Sequence, residues 1–277
     1  VDPSSPNEKG NNYKLINGFF GEKFVYKNNF ESKFKLLYTR HTLEHVYDPF
    51  EFVEACSKCL SKKGKIIIEV PYSHHQIARN HFEGISIQHQ SFFTITSLKN
   101  LAENANLFIE EFLFVPMDGG SIIVVLSKDK ESKSLSSYLP YEKSNGFFDG
   151  SAIKNYASKL YSEIKYFRQF IDDLSKKGIV CGYGAGSKGS IFYNAIGLDK
   201  QIDFIIDDVQ VTSSPKYMPG CGIKVINKNS LGLVKPNYVV ISAPTHIQEI
   251  GGKINSLFPE AKIIISSPYF GFLDQTI

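Results

Sequence analysis

The feature that most constrains the fold of this sequence is a glycine-rich segment at residues 184–189, which reads G-A-G-S-K-G and fits the pattern G-x-G-x-x-G. The segment follows an apolar run at residues 179–182, typical of a buried strand, and precedes a helical pattern that begins at Ser187. Glycines let the backbone turn tightly and approach a phosphate, and a helix start offers unpaired N–H groups. The combination predicts a dinucleotide-type α/β domain over residues 177–277.

Two charged residues fit a nucleotide site in this domain. Lys188 adds a mobile positive charge to the loop, and Asp207 ends the next predicted strand, about 18 residues beyond Gly189. An acid at that place accepts hydrogen bonds from ribose hydroxyls in dinucleotide-binding folds. We therefore predict a nucleotide-containing ligand, and a glycine turn without a ligand is the alternative.

The first half of the chain also predicts strands that alternate with helices. Apolar runs at residues 35–39 and 65–70 predict two strands, and the helix between them starts with Asp48 as its cap and Pro49 at its first position. A strand, a helix and a second strand in this order form a parallel unit. The remaining predicted elements of this half are a helix over residues 96–105 capped by Thr96 and two strands over residues 107–115 and 121–127, close enough to pair antiparallel.

A polar segment and a long helix are predicted between the two halves. Residues 128–150 read as loop, and residues 151–176 carry apolar side chains at helical spacing. We therefore expect an α/β protein with two Rossmann-like parallel-sheet domains joined by a long helix, the first incomplete at its N-terminus. The predicted divisions are residues 1–128, residues 129–176 for the loop and connecting helix, and residues 177–277.

Composition excludes several classes of protein. The net charge of +3 has no clustered basic block, so a nucleic-acid partner is not predicted. The sequence holds no apolar run of the length that a membrane span needs and opens on a polar segment, so a cytoplasmic protein is expected. Cys56 and Cys59 form a C-x-x-C inside a helical pattern with no second ligand pair, which favours reduced structural cysteines and no metal site.

Several segments together resemble one known family. Residues 40–49 (RHTLEHVYDP) and 64–71 (GKIIIEVP) look like two motifs of class I S-adenosylmethionine-dependent methyltransferases. Further matches narrow the resemblance to deoxysugar C-methyltransferases, which act on nucleotide-linked keto sugars. These matches are residues 88–93 (QHQSFF) to their H-E-H-x-S-Y-F segment, residues 118–121 (DGGS) to their H-G-G-S, and residues 183–189, 206–208 and 219–220 to their C-terminal domain.

The resemblance implies a methyl donor, a substrate and the residues that bind them. The donor is S-adenosylmethionine, and the substrate is a nucleotide-linked keto deoxysugar. The residues implied for the donor are Asp2, Phe20, Arg40 and His41, with residues 17–20 resembling the third strand of the family. The residues implied for the nucleotide sugar are Tyr183, Gly184, Gly186, Ser187, Lys188, Gly189, Asp207 and Asp208.

The same resemblance implies a catalytic group made of His89, His45 and Gln88. His89 would act as the base that removes the acidic proton next to the keto group, after which the enolate carbon attacks the methyl of the donor. Histidine suits this role near neutral pH. For His45, a packed structural histidine is the alternative. Gln88 stands where the family has a glutamate and Ser86 where it has a tyrosine, so the reaction is expected to be slower or different.

The start of the chain departs from the family pattern. The family has a zinc-binding N-terminal domain, followed by the first strand and the glycine loop that hold the donor, whereas residues 1–4 resemble the end of the second strand. We therefore expect zinc only in that absent domain, an opening where the first strand would lie, and weak binding of S-adenosylmethionine by this chain alone.

Two other functions stay open at this stage. A non-catalytic sugar-nucleotide-binding relative would explain Gln88, and an NAD-dependent oxidoreductase would explain the glycine loop. The oxidoreductase needs a Tyr-Lys or Cys/His constellation near the nicotinamide, and none stands at convincing spacing. The sequence leaves the oligomeric state open.

Overall fold

The computed structural model describes residues 1–10, 12–78, 82–208, 216–231, 234–243, 246–265 and 270–273. Its contacts divide the chain into two compact units. The first unit holds Val1–His75 and Ile87–Asp149, and the second holds Gln76–Ser86 and Gly150–Ile277. The domain limits predicted at residues 128 and 176 stay a prediction.

The first 149 residues contain short elements around one larger sheet. In chain order the strands and helices are β1 (Glu8–Lys9), β2 (Lys14–Leu15), α1 (Glu22–Lys27), β3 (Phe34–Arg40), α2 (Pro49–Cys59), β4 (Leu60–Pro71), α3 (Ser73–Ala78), α4 (Ile95–Asn104), β5 (Phe108–Val115), β6 (Ser121–Ser127) and α5 (Leu135–Ser144).

The sheet of the first unit has the order β3-β4-β6-β5. Strands β3 and β4 are parallel, which confirms the predicted strand–helix–strand unit, and β6 pairs antiparallel with both β4 and β5. The antiparallel pair of β5 and β6 confirms the pairing that their closeness in sequence predicts, because the short connection between them allows only a hairpin. Within the described residues β3 is an edge strand, and it exposes Leu36 and Tyr38.

Helix α2 begins as the sequence predicts, and it buries both cysteines. The Asp48 carboxylate accepts a hydrogen bond from the Glu51 amide, and Pro49 is the first helical residue. Cys56 and Cys59 lie in the buried face of α2. Burial raises the pKa of the Cys59 thiol to about 11, so it stays protonated near neutral pH. A protonated buried thiol fits the structural role predicted for it.

Two local predictions for the first unit are wrong. Helix α4 is capped by Thr94 rather than Thr96, because Thr94 and Ser97 exchange backbone and side-chain hydrogen bonds in a capping box. The strand predicted over residues 17–20 does not form beyond an isolated bridge between Asp2 and Asn17. Phe20 instead packs its ring against Phe52, with centroids 5.3 Å apart.

Helix α5 corrects the prediction of a loop over residues 128–150. Its Glu142 is fully buried and accepts hydrogen bonds from the Tyr72 hydroxyl (2.8 Å) and from the amides of Ile95 (2.7 Å) and Thr96 (2.9 Å). These amides are the first two of α4, where a helix has unpaired donors and a positive dipole end. The polar composition of this segment therefore does not reveal that Glu142 binds the start of α4.

The second unit is a doubly wound sheet that holds the glycine loop. Its elements from residue 150 on are α6 (Ser151–Ser175), β7 (Val180–Tyr183), α7 (Ser187–Ile196), β8 (Phe204–Ile206), β9 (Lys216–Tyr217), β10 (Lys224–Ile226), β11 (Tyr238–Ile241), α8 (Ile247–Leu257), β12 (Lys262–Ile265) and β13 (Gly271–Phe272).

Five parallel strands form the centre of this second sheet. The order is β13-β12-β11-β7-β8-β10-β9, with antiparallel strands only at the two edges. Successive side chains of β7 enter different cores, since Val180 packs with one hydrophobic cluster and Cys181 with another. Helix α6 covers the first of these clusters with Phe167, Ile171 and Leu174. The predicted α/β class and the long helix are confirmed.

A helix that spans a membrane must be both long and apolar. Among the described ranges, none of the helices is both long and apolar enough to cross a bilayer.

Candidate functional site

The first candidate site is built on a 3-10 turn that follows the carboxyl end of β3. This turn, Leu43–His45, buries its first two side chains and leaves His45 exposed. Leu43 belongs to the hydrophobic core, and Glu44 is only 2% exposed. The turn therefore places a carboxylate inside the protein beside a histidine that solvent can reach.

A distant segment is fastened onto this turn. The amides of Gln90 and Ser91 donate to the Glu44 carbonyl oxygen at 2.7 and 3.3 Å. The Nδ1 atom of His45 lies 2.9 Å from the Gln88 carbonyl oxygen, 43 residues away in sequence. The rings of His45 and His89 meet edge to face with centroids 4.8 Å apart. The structure thus brings together His89, His45 and Gln88, although Gln88 takes part through its backbone.

The contact with Gln88 also sets the protonation pattern of His45. A backbone carbonyl can only accept a hydrogen bond, so Nδ1 of His45 must donate. In the neutral ring, Nε2 then carries the lone pair that can accept a proton or bind a metal ion. The sequence cannot show this, because the acceptor is main chain from another part of the fold.

His41 and Arg40 lie beside this cluster in an ion-pair network. His41 Nδ1 is 3.3 Å from Glu44 Oε1, and His41 Nε2 is 3.5 Å from Glu69 Oε1. Arg40 Nε is 3.2 Å from Glu69 Oε2. His41 has a φ of 45°, a left-handed backbone that non-glycine residues rarely adopt. Such a conformation persists where surrounding contacts hold it, and here two buried carboxylates hold the ring.

A cavity of about 790 Å³ in the first unit is lined by two of the four residues predicted for the donor, Phe20 and Arg40, and by His45. Asp2 lies next to its walls, but its carboxylate accepts hydrogen bonds from Ser4 and Ser5. The hydroxyl and amide of Ser4 lower the pKa of Asp2. The cavity walls combine aromatic side chains such as Phe20 with polar ones such as Arg40.

A second, smaller cavity of about 370 Å³ in the first unit is lined by aromatic rings and two histidines. His74 contacts the ring of Tyr141, and its Nε2 lies 3.4 Å from the Tyr141 hydroxyl. Burial lowers the pKa of His74. Gly120 lies against His75 with a φ of 119°, and an added Cβ would collide with that histidine. Gly120 of the D-G-G-S motif thus allows a close approach to His75 in the helix after β4.

In the second unit, the glycine loop has the geometry that a phosphate-binding turn needs. Gly184 follows β7 with a φ of 100°, and a Cβ on Gly189 would collide with the carbonyl oxygen of Gly184. A Cβ on Gly186, in contrast, would meet open space. The loop and the first turn of α7 therefore pack backbone against backbone, as in turns that bring a helix start close to a ligand.

Polar side chains hold this loop in place. The Asp207 carboxylate accepts a hydrogen bond from the Ala185 amide at 2.8 Å. The buried Ser242 hydroxyl lies within hydrogen-bond distance of the carbonyl oxygens of Tyr183 (3.0 Å) and Gly184 (2.8 Å). Ser242 could not be predicted from the sequence, because it follows a different strand, β11, which pairs with β7 only in the folded sheet.

The predicted residues Tyr183 and Asp208 form a hydrogen-bonded pair, and two lysines, Lys228 and Lys253, lie within ion-pair distance of Asp208. The Tyr183 hydroxyl donates to Asp208 Oδ1 at 2.8 Å, and Lys253 Nζ lies 3.0 Å from Asp208 Oδ2. Burial alone would raise the pKa of Asp208, but hydrogen bonds from Lys253 and Tyr183 hold it below its ordinary value. Tyr183 is itself buried. Asp208 therefore stays ionised, while Lys188 and Ser187 lie in the first turn of α7, next to the loop.

Comparison with known proteins decides the family. A family model described as the C-methyltransferase C-terminal domain matches residues 116–268, more than half of the chain, and a methyltransferase domain model matches residues 1–111. The chain belongs to the C-methyltransferase family. This confirms the resemblance drawn from the motifs, and S-adenosylmethionine is the cofactor of this class of enzyme.

One curated relative matches most of the length of this chain. C-methyltransferase NovU from Streptomyces niveus is 27% identical over 245 residues, which are 83% of this chain and 58% of the relative. The chain thus spans little more than half the length of the relative that it matches.

Solved methyltransferase structures match a smaller part of the chain. An S-adenosylmethionine-dependent methyltransferase from Thermotoga maritima is 14% identical, with a TM-score of 0.29 over 36% of this chain and 57% of its own. A second one, from Leishmania major, is 15% identical, with a TM-score of 0.27 over 35% of this chain and 39% of its own.

Proposed function

We propose that this chain is the catalytic and nucleotide-binding part of an S-adenosylmethionine-dependent C-methyltransferase whose substrate is a nucleotide-linked keto deoxysugar. The observation that carries the proposal is the joining of His45 and His89 by the Gln88 carbonyl and the Glu44 backbone. It puts two imidazoles at an exposed edge of the first unit, beside a cavity of suitable size. The curated relative, a C-methyltransferase, supports the same reaction class.

His89 is the base in this proposal. The proton next to a ketone is weakly acidic, so the base must be neutral, close and correctly oriented. His89 is half-buried, and its ring contacts those of His45 and Phe92. His45, with its lone pair on Nε2, is the second candidate for the same role. Removal of the proton leaves an enolate whose carbon can accept a methyl group.

The methyl donor is assigned to the cavity of the first unit. S-adenosylmethionine, when bound, supplies an electrophilic methyl group. Phe20 would contact its apolar surface, and Arg40 lies in the cavity wall, where its charge is fixed by Glu69. We keep Asp2 and His41 in this role as proposals, although their polar atoms already have protein partners.

The nucleotide part of the substrate is assigned to the second unit. Amides at the start of α7 and the charge of Lys188 favour a diphosphate, and the glycine loop allows its close approach. Asp207 lies where an acid reaches the ribose, and its hydrogen bond to Ala185 ties it to the loop. A cytoplasmic location is part of this proposal, since free cysteines are the default in that compartment and Cys56, Cys59 and Cys181 are buried free thiols.

Proton exchange tests the role of His89 without the methyl donor. The chain is incubated in D₂O with a nucleoside-diphosphate-linked keto deoxysugar, and loss of the α-proton signal is followed by NMR. We expect the His89→Ala variant to exchange about 10²–10⁴-fold more slowly than wild type. Exchange at the wild-type rate in His89→Ala and its loss in His45→Ala would move the base to His45. Absence of exchange in the wild-type chain would favour the non-catalytic sugar-nucleotide-binding relative.

A further inference from the structure

Three side chains of the histidine cluster lie close enough to share one ion. The carboxylate of Glu44 and ring nitrogens of His45 and His89 offer ligand atoms that all lie within 4.8 Å of one another. In a tetrahedral zinc site with bond lengths of 2.0–2.1 Å, ligand atoms are about 3.4 Å apart. The three groups therefore need to approach by at most about 1.4 Å, which rotation of an exposed and a half-buried imidazole can supply.

The buried carboxylate has an unused oxygen. Glu44 Oε1 faces His41, whereas Oε2 is fully buried and has no hydrogen-bond partner among the residues that the structure describes. A buried carboxylate oxygen without a partner is costly, since it has lost its water and gained nothing in return. A cation at this position would satisfy it.

The surroundings of His45 match those of a metal ligand. Metal-binding histidines usually donate their other ring N–H to a carbonyl or carboxylate, which fixes the ring and frees the opposite nitrogen. The contact from His45 Nδ1 to the Gln88 carbonyl at 2.9 Å is of this kind. This observation is independent of the distances among the three ligand atoms.

We propose that Glu44, His45 and His89 form a binding site for a divalent transition-metal ion of the Zn²⁺, Co²⁺ or Ni²⁺ type. Two imidazoles and one carboxylate suit these ions, whereas Ca²⁺ and Mg²⁺ prefer all-oxygen sites. Three protein ligands leave one position open, and the exposure of His45 gives solvent or a small ligand access to it. The site is distinct from the C-x-x-C, whose protonated thiols are buried in α2.

Cobalt provides the most direct probe of this site. Co²⁺ is titrated into the metal-free chain, and the visible absorption of tetrahedral Co²⁺ is recorded, with Zn²⁺ added afterwards to displace it. We expect a band that saturates at one ion per chain and disappears with Zn²⁺. The His45→Ala and His89→Ala variants should lose more than about 100-fold in affinity, since even partners behind the ligands contribute 10- to 100-fold. His246→Ala, which removes an exposed histidine of the second unit, should bind as wild type does.

Two results would overturn the metal site. One is the absence of stoichiometric Co²⁺ and Zn²⁺ binding by the wild-type chain. The other is full Co²⁺ binding by the His45→Ala variant. Because His45 is exposed, this variant should fold as wild type does, and circular dichroism verifies the fold of each variant. Because the titration needs neither donor nor sugar, its outcome does not depend on the proposed methyl transfer. If that function is correct, Zn²⁺ should also stop α-proton exchange, since the metal occupies the lone pair of His89.

Discussion

The glycine loop of the second unit is built from main-chain atoms, whereas the histidine cluster of the first unit is built from side chains. The loop is made of consecutive residues whose main chain forms the site, with Gly184 and Gly189 in backbone contact. The cluster is made of side chains from two segments 43 residues apart, joined by hydrogen bonds to main-chain carbonyls. Its Glu44 carries a buried oxygen without a partner among the described residues, whereas Asp208 near the loop is paired with Tyr183 and Lys253.

This difference separates two tasks. A main-chain site offers fixed amides and changes little with pH, which suits the binding of a diphosphate. A side-chain site with unsatisfied or titratable groups suits proton transfer and metal binding, where groups must change their state. The comparison predicts that backbone changes will damage the second unit most, and that the first unit will respond to pH.

The largest effect should come from adding one methyl group to the loop. In Gly189→Ala the new Cβ collides with the carbonyl oxygen of Gly184, which cannot move without breaking the turn. We expect a loss of about 1–3 kcal/mol in the free energy of unfolding, and no measurable binding of a nucleoside diphosphate. Chemical denaturation and calorimetric titration provide the two readouts.

Gly186→Ala is the matched control for this loop. Its Cβ meets open space, and its φ of −70° is ordinary, so the cost should stay below about 1 kcal/mol. If both variants lose the same stability and binding, the loop is sensitive to any substitution, and backbone contact is not what holds it.

The sequence was informative where a structural signal is local. The glycine loop, the Asp48 cap with Pro49 and the long helix α6 are local patterns, and each was predicted within a residue or two. Helix α5 was missed because Glu142 is explained only by the amides of α4 that it binds. The proximity of Glu44 and His89 could not be predicted for the same reason, and neither could the contacts of Ser242 with the glycine loop.

The smallest predicted effect concerns pH and the first unit. Burial holds the pKa of His74 below its ordinary value of 6.5, so the folded state binds a proton less readily than the unfolded chain. The stability that the first unit has with neutral His74 is therefore fully present above pH 6.5, and it is lost as the pH falls toward the lower pKa of the folded state. The thermal unfolding temperature of wild type should therefore fall over this pH range more than that of His74→Gln, because glutamine does not bind a proton. Equal pH dependence of the two proteins would contradict the assignment.

The dependence of α-proton exchange on substrate concentration tests most directly whether the first unit removes the proton and the second unit binds the nucleotide. Exchange rates are measured against the concentration of a nucleoside-diphosphate-linked keto deoxysugar for wild type, His89→Ala, Lys188→Ala and, as a control, Lys200→Ala beyond the far end of α7. The account predicts that His89→Ala loses maximal rate with unchanged half-saturation. Lys188→Ala should keep the maximal rate and need about 10- to 100-fold more substrate, as loss of a charged hydrogen bond worth 1.5–3 kcal/mol implies. A lower maximal rate in both variants, or unchanged half-saturation in Lys188→Ala, would contradict it.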